Sequence, residues 1–222
     1  MSALKRALII GASRGLGLGL VQRLKEDGWA VTATVRDTGK AEALRAVSGI
    51  QIEQLDMDDA QSVDALHTRL HDQVFDLLFV NAGVKGSANQ TPGAAPAQEV
   101  AQLFLTNSVA PISLAQRFTH NLRPDTGVLA FMSSGLGSIT SPDAPELALY
   151  KASKAALNSL TNTYVSQLGE RKLTVLSLHP GWVKTDMGGE DAQIDVATST
   201  RGLVDVLNAY TGKGGHYFLD YQ

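Results

Sequence analysis

The chain alternates short, continuously apolar segments with longer segments of helical pattern along almost its whole length. Seven segments have the length and composition of buried strands: residues 7–10, 30–35, 50–55, 75–80, 128–132, 173–178 and 217–219. Helices are predicted over residues 15–27, 40–47, 59–71, 97–122, 147–168 and 196–210. Apolar strands separated by helices are typical of a parallel sheet covered on both faces. With right-handed crossovers, the sequence predicts an α/β fold, a doubly wound Rossmann-type sheet of about seven parallel strands.

Composition narrows the classes of protein to which the chain can belong. The hydrophobic share of 44% in 222 residues suits a substantial core, and we predict one domain over residues 1–222. A net charge of −3 provides no basic field for nucleic acid or an anionic membrane, so neither is expected as a partner. The chain has no cysteine, which fits a reducing compartment. Since no signal peptide or membrane-spanning segment is predicted either, we expect a cytoplasmic protein.

A glycine-rich turn lies where the first predicted strand meets the first predicted helix. Its spacing is Gly-x-x-x-Gly-x-Gly over residues 11–17. Glycines permit a tight turn and a close approach of the backbone to a diphosphate, and the N-terminus of the helix favours an anion. Such turns also occur without a ligand, but this position between strand and helix favours phosphate binding. The predicted contacts are Gly11, Ser13, Arg14, Gly15, Leu16 and Gly17.

Arg36, after the second predicted strand, indicates which nicotinamide dinucleotide binds. In this fold an acid at the strand end binds the ribose 2′-hydroxyl of NAD, whereas a cation accepts the 2′-phosphate of NADP. Val35 occupies the position expected for the acid, and the guanidinium of Arg36 matches a phosphate in charge and geometry. We therefore predict NADP(H) as cofactor, with Arg14 as a second positive charge. The alternative is that Arg36 is solvated and paired with Asp37.

Tyr150 and Lys154 stand four residues apart in a segment rich in helix formers, so they share one face of a helix. Free tyrosine has a pKa of about 10, and a nearby positive charge lowers that pKa. A phenol beside an ammonium group can therefore transfer protons near neutral pH. The alternative is a surface tyrosine beside a surface lysine, which the other motifs disfavour.

Together these motifs and several others resemble the short-chain dehydrogenase/reductase family over nearly the whole chain. The further features follow the third to the sixth strands in order: Asp56, Asn81-Ala82-Gly83, Asn107 within a helix, Ser134 and Pro180-Gly181. Residues 132–139 and 194–202 are similar to the small carbonyl reductases of the sniffer and C-factor type.

The resemblance implies a role for each of these residues. Tyr150 would be the general acid and base, Lys154 would lower its pKa and bind the nicotinamide ribose, and Ser134 would polarise the substrate carbonyl. Asn107 completes the catalytic set. Because Pro111 lacks an N–H, the Asn107 carbonyl loses its helix partner and is free to hold a water between Lys154 and solvent; alternatively Asn107 only braces the sheet. Cofactor contacts are implied for Tyr150 and Lys154, and for Asp56, Asn81, Ala82, Gly83, Pro180, Gly181, Val183 and Thr185.

The predicted function is NADP(H)-dependent transfer of hydride between the nicotinamide and a carbonyl or secondary alcohol of a small molecule. The first alternative is a non-catalytic redox sensor that binds NADP(H), and the second is a cell-signalling protein of the C-factor type. A sugar-nucleotide epimerase or dehydratase shares the Tyr-x-x-x-Lys pair, but such enzymes usually need a further substrate domain.

Three further expectations concern the surroundings of the site. The substrate pocket is predicted to be formed by the loops 86–96, 135–146 and 187–195. Homo-oligomers, dimers or tetramers, are expected to pair through the helices over 97–122 and 147–168. No metal site is predicted, since His67 and His71 share a helix face but have no third ligand nearby.

Overall fold

The computed structural model describes residues 4–222, and these contain one parallel sheet. Its strands are β1 (Arg6–Ile10), β2 (Ala30–Val35), β3 (Gln51–Gln54), β4 (Leu77–Val80), β5 (Val128–Met132), β6 (Thr174–His179) and β7 (Gly215–Asp220). The strand order across the sheet is β3-β2-β1-β4-β5-β6-β7, and every pair is parallel. The predicted doubly wound α/β fold is confirmed.

Helices cover both faces of the sheet. They are α1 (Gly15–Glu26), α2 (Glu42–Arg45), α3 (Ala60–Leu70), α4 (Ala97–Phe104), α5 (Ala110–Phe118), α6 (Ala148–Gln167) and α7 (Val196–Tyr210). Successive side chains of a strand point to opposite faces. In β1, Ile9 therefore packs into a core with α1 and α7, while Leu8 packs into a second core with α3, α5 and α6.

Several predicted elements are shorter than the sequence pattern suggested, including the third strand and the second helix. The strand predicted over residues 50–55 forms only at Gln51–Gln54, and none of its residues is fully buried. It lies at the edge of the sheet and pairs with β2 alone, so one side of it lacks a covering strand. The helix predicted over 40–47 is likewise reduced to Glu42–Arg45, preceded by a 3₁₀ turn at Thr38–Lys40.

The single helix predicted over residues 97–122 is interrupted by a π-helical turn at Leu105–Val109. In this turn the N–H of Ala110 donates to the carbonyl of Leu105, five residues earlier. Pro111 follows in the first turn of α5, where its missing N–H is tolerated. Turns of this kind are common at functional sites. The wide turn contains Asn107, whose side chain is completely buried.

From β1 the chain builds the sheet outward in both directions: β2 and β3 lie on one side of β1, and β4 to β7 lie on the other. Chain connections leave β1 and β4 toward opposite sides, so a crevice opens beyond the carboxyl ends of these strands. The glycine turn and the predicted catalytic segments follow the carboxyl ends of β1, β4, β5 and β6. Over residues 4–222, no helix is both long and apolar enough to cross a bilayer.

Candidate active site

The turn between β1 and α1 is built so closely that only glycine fits at two of its positions. Gly11 has φ of +81°, and a Cβ added there would lie 2.7 Å from the Cβ of Ala82. A Cβ on Gly17 would lie 2.1 Å from the carbonyl oxygen of Gly11. The side chain of Asn81 donates to that same oxygen over 2.7 Å, so Asn81 holds the turn against the end of β4.

The N-terminus of α1 is suited to an anion. Arg14, the residue before the helix, supplies no side-chain cap, and the first turn contains no acidic residue. The first N–H groups of a helix have no acceptor within it, and the helix dipole adds positive charge at this end. Gly15 and Leu16 from this turn line the cavity described next. A phosphate bound here would satisfy these N–H groups.

A cavity of about 1150 Å³ runs along the carboxyl ends of the strands. It brings together nearly all of the predicted site residues, from Arg36 after β2 to Tyr150 in α6 and Thr185 beyond β6. Only two of those residues do not line it, namely Gly17, which packs beneath the turn, and Asn107, which lies behind the wall. A cavity of this size is large for one small molecule and suits a dinucleotide together with a substrate.

Arg36 follows β2 and lines one end of the cavity. Among residues 4–222 it has no ion-pair partner, because Asp37 instead accepts from the N–H of Gly39 over 2.8 Å and lies 3.9 Å from Lys40. The pairing of Arg36 with Asp37, which the sequence left open, is therefore not observed. Asp56 also lines this end, and its carboxylate accepts from the N–H of Asp58 over 3.1 Å.

Arg14 is paired across the mouth of the cavity. Its guanidinium lies 2.8 Å from the carboxylate of Asp186, and both side chains are 76% exposed. Exposed ion pairs of this kind contribute about 0–1 kcal/mol. The pair links the glycine turn to the segment after β6, and breaking the pair would cost little free energy. Among residues 4–222, Arg14 thus has an ion-pair partner and Arg36 has none.

Ser134 and Tyr150 meet in the cavity wall. The Ser134 hydroxyl accepts from the N–H of Leu136 over 3.1 Å and lies close enough to the Tyr150 phenol to oppose the effect of burial on its pKa. Ser133, the preceding residue, also lines the cavity, but its hydroxyl donates to the Asn158 side chain over 2.7 Å. The Ser133 hydroxyl is therefore engaged outside the pair, and the assignment of Ser134 to the substrate carbonyl stays a prediction.

The structure contradicts the expectation that Lys154 lowers the pKa of Tyr150. Burial raises the pKa of Tyr150 to about 12, although the nearby Ser134 hydroxyl opposes this rise. Lys154 does not contact the phenol: its ammonium donates to the Met132 carbonyl over 2.8 Å and lies 5.9 Å from the centre of the Tyr150 ring. Burial also lowers the pKa of Lys154 to about 8. Loss of solvation therefore sets the direction of the pKa shift of both groups.

Asn107 reaches the site through its hydrogen bonds. Its side-chain oxygen accepts from the N–H of Val84 over 2.8 Å, and its amide nitrogen donates to the Val84 carbonyl over 2.8 Å. The same nitrogen donates to the Ser153 hydroxyl over 3.0 Å. The Asn107 side chain thus joins the segment after β4 to helix α6.

Several cavity residues were missed from the sequence. His179 ends β6 and lines the cavity, and within residues 4–222 its buried Nδ1 has no hydrogen-bond partner; burial lowers its pKa. Its position at the carboxyl end of a central strand was the available signal. Trp182 also lines the cavity, and Met187 does so from the loop predicted over 187–195. The loop predicted over 86–96 supplies no cavity residue, in contrast to the segments 135–146 and 187–188.

The part of the chain that the structure describes has no group of three side chains placed to hold a metal ion. The arrangement is instead a phosphate-binding turn, a long cavity, and a hydroxyl pair with a buried ammonium group at its far end. Such a set can hold a dinucleotide and move a proton to or from an oxygen atom beside it.

Comparison with known proteins agrees with this geometry. A family model described as short chain dehydrogenase matches residues 5–194. The C-signal protein of Myxococcus xanthus is 33% identical over 150 residues, which are 66% of this chain and 89% of that protein.

Solved structures of carbonyl reductases superpose over almost the whole chain. One from Pseudomonas aeruginosa PAO1, in complex with NADP, has 37% identity and a TM-score of 0.91, covering 99% of this chain and 97% of that one. The carbonyl reductase Sniffer of D. melanogaster has 32% identity and a TM-score of 0.85, covering 98% and 97%.

Proposed function

The chain belongs to the short-chain dehydrogenase/reductase family of oxidoreductases, and we propose that it is an NADP(H)-dependent carbonyl reductase whose proton donor is Tyr150. The observation that carries this proposal is the presence of Ser134 and Tyr150 together in the wall of a cavity that begins at the glycine-rich turn. Neighbouring structures that contain NADP or NADPH support the choice of cofactor.

The residues present fit the cofactor. The tight approach of Gly11 and Gly17 to the backbone leaves the turn without side chains where a diphosphate needs room. Ser13, Gly15 and Leu16 would bind the diphosphate, and Thr185 lies near Gly15, with its methyl group 3.5 Å from a Cβ added there. Arg36 would bind the 2′-phosphate and Asp56 the adenine amino group. When bound, NADPH supplies the hydride.

Tyr150 would donate the proton that the reduced carbonyl oxygen requires. With a pKa of about 12 the phenol holds its proton throughout the physiological pH range, so the acid form needed for reduction is always present. Ser134 would donate to the same oxygen and fix its distance from the phenol. Together the two hydroxyl groups would stabilise the charge that develops on that oxygen.

Lys154 would hold the nicotinamide ribose and compensate for charge on the phenol. Its ammonium currently donates to the Met132 carbonyl at the end of β5, which is inside the cavity wall. A lysine has three donors, so the remaining N–H groups are available for ribose hydroxyls. The water path from Lys154 through the Asn107 carbonyl remains part of this proposal, as do cofactor contacts by Ala82, Gly83, Pro180, Gly181 and Val183.

A signalling role is the second candidate, and the similarity to the C-signal protein favours it. A non-catalytic sensor would require the glycine turn but not Ser134, Tyr150 and Lys154 together.

The test is oxidation of NADPH by the purified protein with a panel of aldehydes, ketones and diketones. We expect turnover with at least one class of carbonyl and much weaker turnover with NADH. Tight binding of NADPH without turnover across the panel would instead support the sensor. The Tyr150→Phe variant serves as the control for contaminating reductases.

Assembly and location form a separate part of the proposal. Leu105 and Val109 lie one π-helical turn apart and are 36% and 51% exposed, and Leu160 on α6 is 36% exposed. Exposed apolar side chains on neighbouring helices support a homodimer through α4, α5 and α6. Because cysteine is missing from the sequence, we propose a cytoplasmic protein.

A further inference from the structure

Gln90 is a buried polar residue in a loop whose other side chains are largely exposed. It is 7% exposed, whereas Asn89 and Thr91 on either side of it are exposed. The sequence pattern placed this loop in the substrate pocket, but it contributes nothing to the cavity lining. A buried amide in a polar surface loop must find hydrogen-bond partners, and those partners indicate what the loop does.

The side-chain oxygen of Gln90 binds the backbone of the proposed acid. It accepts from the N–H of Tyr150 over 2.9 Å, across 60 positions of sequence. Tyr150 lies in the first turn of α6, where N–H groups have no acceptor within the helix. The residue before the helix, Leu147, supplies no side-chain cap. Gln90 therefore does from a distant loop what a serine or aspartate usually does from the preceding residue.

The side-chain nitrogen of Gln90 fixes the orientation of this amide. It donates to the carbonyl of Ser87 over 2.7 Å and to that of Lys85 over 3.1 Å. With the nitrogen facing two carbonyls and the oxygen facing an N–H, the reversed amide would lose all three bonds. The Gln90 side chain is therefore fully used and has one orientation.

These contacts complete a closed circuit around the site. The Tyr150 carbonyl accepts from the Ser153 hydroxyl over 2.7 Å, and that hydroxyl accepts from the Asn107 amide. Asn107 is bound to both the N–H and the carbonyl of Val84, the residue before Lys85. The circuit thus passes through Val84, Asn107, Ser153, Tyr150, Gln90 and Lys85 and returns to its start. It fixes the Tyr150 backbone on its N–H side and its carbonyl side at once.

We propose that Gln90 is a positioning residue for the reductase reaction, closing a hydrogen-bond circuit that sets where the Tyr150 hydroxyl stands against Ser134 and the substrate carbonyl. This inference rests on the proposed function for its catalytic consequence but not for its structural part. Gln90 does not line the cavity, so its loss should affect the chemical step rather than binding. A misplacement on the order of 1 Å can cost about a hundredfold in rate.

Three variants separate the contributions of Gln90. Gln90→Leu removes both the acceptor and the donor, whereas Gln90→Glu keeps an acceptor for the Tyr150 N–H and loses the donor to Lys85 and Ser87. Thr91→Ala changes the exposed neighbour and is the matched control. For Gln90→Leu we expect kcat to fall between about tenfold and a hundredfold, with the Kd for NADPH within about twofold of wild type. Gln90→Glu should recover part of this loss, and Thr91→Ala should show none.

Hydrogen exchange of the Tyr150 amide, followed by NMR, tests the circuit without any turnover. Exchange should be at least about tenfold faster in Gln90→Leu than in wild type, while amides in the middle of α6 keep their protection. If the wild type reduces no carbonyl in the panel, the proposed function fails and the exchange result still decides whether the circuit exists. Unchanged Tyr150 exchange, or unchanged kcat in Gln90→Leu of an active enzyme, overturns the inference.

Discussion

The ammonium of Lys154 lies 5.9 Å from the centre of the Tyr150 ring and is hydrogen bonded to the Met132 carbonyl rather than to the phenol. The two residues share a helix face, as their spacing requires, yet each is governed mainly by its own burial. Burial thereby raises the pKa of Tyr150 to about 12 and lowers that of Lys154 to about 8. Under the proposed function, Tyr150 would remain able to donate a proton while the charge of Lys154 would depend on pH.

Replacing Tyr150 with Phe should remove the proton donor and leave the cavity wall almost unchanged. We expect kcat for carbonyl reduction to fall by about a hundredfold or more, because general acid catalysis contributes on that order. Binding of NADPH, measured by fluorescence titration, should change by no more than about twofold. A variant that retained near-normal turnover would contradict the assignment of Tyr150 as the acid.

The rate of reduction should fall as pH rises through about 8. Burial lowers the pKa of Lys154 to about 8, so the ammonium loses its proton above that pH, whereas Tyr150 stays protonated up to about 12. The profile of kcat/KM, which reports on the free enzyme, should show this alkaline limb. In Lys154→Arg the cation persists at all accessible pH values, so the limb should vanish even if the rate is lower. A limb that persisted in Lys154→Arg would assign it to another group.

Arg36→Asp should reverse the preference for the 2′-phosphate. Loss of a charge-assisted hydrogen bond and the new repulsion should weaken NADPH binding by about tenfold to a hundredfold. NADH binding should change by less than about threefold, because it lacks the phosphate. Lys172→Asp is the matched control, since Lys172 is exposed and precedes β6, at the amino ends of the strands and away from the cavity. Equal losses for the two cofactors in Arg36→Asp would refute the role of Arg36.

Gly17→Ala should disrupt the phosphate-binding turn. The new methyl group would lie 2.1 Å from the Gly11 carbonyl oxygen and 2.7 Å from the Asn81 amide nitrogen, and backbone cannot yield to that extent without moving the turn. We expect a loss of about 1–3 kcal/mol in the free energy of unfolding and a severe loss of NADPH affinity. Gly93→Ala is the control, because a Cβ there meets no atom within 4 Å. Normal NADPH binding by Gly17→Ala would show that the turn does not form the phosphate site.

Much of the fold was predictable because its signals are local and repetitive. Continuous apolar segments predicted the parallel sheet. The residues that follow the carboxyl ends of its strands, including Arg36 and Ser134, predicted where the cavity lies. The sequence predicted that the Tyr150 pKa is lowered, and this direction was wrong. The spacing of Tyr150 and Lys154 reveals a neighbouring charge, but it does not reveal the loss of solvent around both groups. Gln90 was missed for a similar reason, since its partner Tyr150 is 60 positions away.

The π-helical turn between α4 and α5 has a consequence for how this region tolerates length changes. A regular helix advances by about 100° per residue. The wide turn at Leu105–Val109 takes up one residue more than a regular turn, so deleting one residue there would leave an ordinary turn with α4 and α5 facing as they do now. Leu103 would stay in the interior, but Asn107 would lose the wide turn that contains it. A deletion within α4 or α5 has no such turn to absorb it and would rotate the two helices against each other by roughly 100°.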